Sequence, residues 1–168
     1  MDVIMVLLLG ILCPAVIMDL REGRIDNRWI LLSAAAGFVM QIRVRGPAGI
    51  LYAAAGFGTA FAVLFVLFVF RMLGAGDIKL FCALGTVLGP AGILKCIAGA
   101  FIAGAAISLI RMISARIFRE RFLYLFRYIQ NTLSEGKIRP YIKPGLDRPE
   151  NIHFTVPIML SAVLLSLF

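Results

Sequence analysis

An all-α membrane bundle of about six transmembrane helices is the fold this sequence predicts, with a cytoplasmic amphipathic helix before the last span. Three observations predict it. The 168 residues are 61% hydrophobic with a mean hydropathy of +0.97, above the apolar share of about half that soluble domains carry. Uncharged runs such as Ile50 to Phe70 hold about twenty residues, enough helix at about 1.5 Å per residue to cross roughly 30 Å of hydrocarbon. The charges collect between such runs and fall unevenly on alternate sides of the chain.

The first run, Val3 to Met18, is read as a retained helix. Asp2 stands where a secretory leader would be basic, and Cys13-Pro14 interrupts the apolar stretch without a small-residue cleavage site. The second, Trp29 to Ile42, and the fourth, Ile78 to Leu88, are short for a bilayer unless flanking residues extend them. Ala48 to Phe70 is the third. Gly89-Pro90-Ala91-Gly92 predicts a tight external hairpin between the fourth run and the fifth, Ala91 to Ile113, because Pro lacks an amide donor and Gly accepts turn dihedrals. Within the fifth, Gly99 with Ala103 and Ala100 with Gly104 permit close helix contact. Phe118, Phe122, Leu125, Phe126, Ile129 and Leu133 then recur at helical spacing with Arg116, Arg119 and Arg127 on other faces, as in a helix lying on the inner leaflet. Pro140, Pro144-Gly145 and Pro149 end that connector, residues 114–151, before the last run from Ile152 to Phe168. One transmembrane domain over 1–168 accommodates all of it.

Counting cations sets the orientation. With the N-terminus outside, the inner loops hold Arg21, Arg24 and Arg28, then Arg71 and Lys79, then nine more from Arg111 to Arg148, fourteen in all, while Arg43, Arg45 and Lys95 are the three outside. Cationic loops stay on the cytoplasmic side, so both termini are expected outside a multi-pass protein of the cytoplasmic membrane. The net charge of +8 then needs no nucleic-acid partner; the partner it implies is the bilayer. Cys13, Cys82 and Cys96 are isolated in or beside apolar runs, which offers neither a zinc pair nor a disulfide framework, so no metal is expected.

Two acids stand out against this background. Asp19 ends the first run, and Asp77 follows Gly74-Ala75-Gly76 at the start of the fourth. Ionisable groups at the edge of a bilayer core tend to mark a pathway or a reaction site. The first span descends to the cytoplasm at Asp19 and the fourth ascends from it at Asp77, so both acids are expected at one depth. Two carboxylates held together share one proton: the ionised member can take a proton from an attacking water while the other donates to an amide carbonyl, with no cofactor. Gly74 and Gly76 would let the backbone bend and a substrate strand approach. His153, alone at the mouth of the last run, reads as an interfacial or hydrogen-bonded histidine, Trp29 as an interface anchor, and Asp26 as a helix-start acid.

These residues resemble the GxGD class of aspartyl proteases, and most closely the type IV prepilin leader peptidase family. The match lies in Gly-x-Gly-Asp-x-Lys from Gly74 to Lys79 and in the acid that ends the first helix before a short basic loop, Asp19 to Asn27. It covers residues 1 to about 110. The resemblance implies that Asp19 and Asp77 are a catalytic pair, that Gly74, Gly76 and Lys79 are supporting motif residues, and that the substrate is a pilin-like precursor whose leader is cut at the cytoplasmic face. Ile25-Asp26-Asn27 departs from the Ile-Pro-Asn of many members. The cysteine-rich methyltransferase region of larger members is also missing, which likens the chain to short, peptidase-only forms serving Tad-type pili, competence pseudopili or archaeal flagellins. Two other classes fit the same acids: a small transporter or channel component using Asp19 and Asp77 as cation sites, and an assembly subunit indifferent to both.

Overall fold

The structure, a computed structural model, describes residues 3–70, 72–114 and 153–167. Among them are five helices and no strand: α1 Val3–Glu22, α2 Asn27–Arg45, α3 Ala48–Val69, α4 Ala75–Ser114 and α5 Thr155–Leu167. The chain divides into one unit of Met1–Gly104 with His153–Phe168 and a second of Ala105–Ile152, of which the end of α4 is the described part. The predicted amphipathic helix and its proline-containing return lie outside the described residues.

Val3–Glu22, Ala48–Val69 and Ala75–Arg111 are long and apolar enough to cross a membrane, which is three segments where six spans were expected. The difference has physical causes. Asp26 caps α2 by accepting from the Arg28 amide at 2.9 Å, so the helix takes in Asn27 and Arg28 at one end and Gln41, Arg43 and Arg45 at the other, which dilutes its apolar content. α5 spans thirteen residues. The fourth and fifth expected spans are joined as α4, broken at Gly89, where φ is 71° and ψ −177°.

That break reverses the chain. Phe154 has its ring 6.4 Å from that of Phe81 and 5.3 Å from that of Phe101, whereas twenty residues of straight helix would part Phe81 from Phe101 by about 30 Å. The expected hairpin is therefore present. Its backbone is served by side chains of other helices, as an apolar surround requires: Gln41 Nε2 donates to Val87 O at 2.6 Å, and Tyr52 Oη to Leu88 O at 3.1 Å. Both carbonyls belong to the last turn before the break.

Residues 80–87, the first arm of α4, are buried throughout. A helix that is apolar all round is a central one, and the others gather about it. Gly56 of α3 and Gly85 of α4 meet so closely that a Cβ on either would strike the other's carbonyl, and a Cβ on Gly37 of α2 would strike Thr86. α1 packs on α5 and α2 on α3. The small residues of the second arm serve as predicted: Gly99 faces Ser161, Gly104 faces Phe154, and Ser161 Oγ donates to Cys96 O at 2.8 Å. Trp29 is half-buried and donates Nε1 to Ile11 O at 3.1 Å, so it ties α2 to α1 where an interface anchor was expected. Cys82 and Cys96 pack in the core and Cys13 is exposed.

Candidate active site

Asp19 lies in the last turn of α1, which closes at Gly23 through the bond from its amide to Asp19 O at 2.9 Å. Asp77 occupies the first turn of α4. Gly74 is the residue before that helix and Asp77 the third within it, the spacing at which an acidic side chain reaches back to the capping residue's amide; the Asp77 carboxylate does accept from the Gly74 N–H. Both acids are half-buried, and the charge of Asp19 acts on Asp77. Two helices distant in sequence thus carry the two acids within electrostatic reach of one another.

The motif glycines Gly74 and Gly76 stand at the start of α4. Neither has a positive φ, and Gly76 is simply helical. A Cβ on Gly74 would stand 3.1 Å from Asp77 Oδ2, while one on Gly76 would meet nothing within 4 Å. Gly74 makes room for the carboxylate, and Gly76 leaves the outer face of the first turn bare. Lys79 is exposed and donates Nζ to Asn27 Oδ1 at 2.9 Å, joining the start of α4 to the start of α2. Among the described residues, which leave out Arg71, neither Asp19 nor Asp77 pairs with a lysine or arginine.

Asp19 instead meets the start of α5. Thr155 Oγ1 donates to its Oδ2 at 2.7 Å, and Nδ1 of His153 lies 3.2 Å from the same oxygen. His153 is therefore hydrogen-bonded, one of the two uses expected of it, but its partner was not foreseen and neither was Thr155. A signal existed: the parity that sets Asp19 and Asp77 at one depth also starts the last run at that depth.

An apolar groove of about 400 Å³, lined by neither acid, includes Phe57, Phe61, Phe65 and Phe68 of α3 and Ala75 and Lys79 of α4. The four phenylalanines recur at helical spacing and so share one face of α3. The described residues hold no cluster of three or more metal-ligating side chains.

A profile of the type IV leader peptidase family matches residues 6–109, a stretch that contains both acids, Lys79 and the Gly89 break and stops short of His153. No curated protein and no solved structure matches the chain.

Proposed function

Since this chain belongs to the type IV leader peptidase family, we propose that it is a membrane aspartyl endopeptidase that removes the leader from pilin-like precursors, with Asp19 and Asp77 as its catalytic pair. One carboxylate takes a proton from the water that attacks the scissile carbonyl; the other, protonated, donates to the carbonyl oxygen and then helps the amine to leave. The observation that carries this reading is that the start of α5 bonds Asp19 through Thr155 and packs through Phe154 on Phe81, one helical turn beyond Asp77, with neither acid bound to a described lysine or arginine.

In this reading α1, α2, α3, the two arms of α4 and α5 make six crossings, with both termini outside and the pair at the cytoplasmic edge. The precursor's apolar helix lies in the groove, whose phenylalanine face from Phe57 to Phe68 is about 16 Å long, or three turns of guest helix. The leader then passes over Gly76, where no side chain obstructs it. The bare first turn and the groove beside Ala75 support this path.

The test is leader removal from a co-expressed pilin-like precursor, followed by the shift in its size. Asp19→Asn and Asp77→Asn should each abolish cleavage while the protein still accumulates in the membrane. Full cleavage by either variant would sink the two-acid mechanism, and ion flux in liposomes without cleavage would favour a cation site.

A further inference from the structure

We infer that His153 and Thr155 are positioning residues for Asp19, which makes the start of α5 part of the catalytic apparatus. This role rests on the two-acid chemistry proposed above.

An aspartate side chain is poorly fixed by its own helix, because its terminal torsion is broad and roughly two-fold. Asp19 is also badly placed electrostatically, since the last turn of a helix concentrates carbonyl dipoles of the same sign as a carboxylate. Donors from elsewhere must answer both problems. Thr155 is fully buried, and its hydroxyl gives its proton to Asp19 Oδ2 at 2.7 Å. Nδ1 of His153, 3.2 Å from that oxygen, stands where a ring N–H donates to a carboxylate. Two donors on one oxygen fix the plane of the group. Among the described residues every hydrogen bond to the Asp19 side chain goes to Oδ2, so Oδ1 is the oxygen left to face the attacking water.

The donors are themselves held in register with the other acid. Phe154, between them in sequence, sets its ring against Phe81 and Phe101. Phe81 is one helical turn beyond Asp77, so the residue that spaces the two donors also packs on the arm that carries the second carboxylate. Farther along α5, the Ser161 bond to Cys96 O and the close approach at Gly99 prevent sliding. A bare tether between α1 and α5 would need only one of these contacts. Here two donors converge on one oxygen of the side chain whose geometry sets the reaction.

The experiment measures steady-state cleavage of a purified pilin-like precursor, basic leader followed by apolar helix, by the full chain in detergent. Thr155→Val should lower kcat by about ten- to a hundred-fold with KM within about two-fold, the size of loss that follows misplacement of a reacting group. Thr155→Ser, which keeps the donor, should recover most of it. His153→Ala should lower kcat likewise, and His153→Asn, whose Nδ2 can stand near the position of Nδ1, should restore part. Should Thr155→Val fail to accumulate, the histidine pair decides, because that side chain is 31% exposed and its loss spares the core. Wild-type kcat in Thr155→Val and His153→Ala overturns the positioning role, and so does a loss that Ser and Asn do not repair or one that falls on KM alone. Asp19→Asn run alongside separates the two levels: if it is inactive while the donor variants are unimpaired, the acid pair stands and the positioning role falls. If Asp19→Asn still cleaves, the two-acid reading itself has failed.

Discussion

Gly74 and Gly76 differ by two positions and by what a methyl group would meet there. On Gly74 it would press the Asp77 carboxylate from 3.1 Å, a separation that forces the acid to move by a few tenths of an ångström. Gly74→Ala should therefore cut leader cleavage by about ten-fold with little change in thermal unfolding. Gly76→Ala meets open space in a helical turn and should stabilise that turn by up to about 1 kcal/mol, yet slow cleavage if the leader crosses this face. Undiminished cleavage by Gly76→Ala would remove the residue from the substrate path. Both acids could be picked out in the sequence because charge is rare in an apolar chain and helix parity sets depth. The partners of Lys79 and Asp19 could not be, since Asn27 and Thr155 are ordinary polar residues whose meaning comes from contacts 52 and 136 positions away.

At the level of single helices, the Gly-Pro break and the first arm of α4 carry the most weight. The hairpin was legible, because Gly89-Pro90 removes an amide and permits φ of 71°. Which arm lies at the centre was not: an apolar helix reads the same whether its neighbours are lipid or protein, and only residues such as Gly37, Gly56 and Gly85, facing other helices, reveal the difference. The length of α2 was missed for a related reason, since its polar ends look like loop until Asp26 is seen to cap them. Stability should follow the polar contacts at the break. Tyr52→Phe removes the side-chain bond to Leu88 O and should cost about 1 kcal/mol, in the range of hydrogen bonds inside membrane bundles. Gly89→Ala combines a conformation reserved for glycine with a collision against the Tyr52 ring and should cost about 2 kcal/mol or more. Unfolding in detergent reads both, and equal stability of Gly89→Ala and wild type would mean that the turn is not held as described.

Across the described residues as a whole, two donors at the start of α5 converge on the acid near the end of α1, while Gln41 and Tyr52 hold the end of the central arm opposite Asp77. These contacts join segments spread over the length of the chain, and the central arm is anchored at its end opposite Asp77. The phenylalanine groove has a further consequence. Its lining includes Ala75 and Lys79, in the first two turns of the helix that carries Asp77. A guest helix seated there to its end presents its next few residues to the carboxylates whatever their side chains. Inserting a short alanine stretch between leader and apolar helix of the precursor should then move the cut onto the inserted residues, as mass spectrometry of the mature product would show. A cut that stays with the original residues would mean that side chains choose the bond. A cut that moves would make the groove the stop and the acid pair the blade, so that a peptide bond is chosen by distance, as with a caliper.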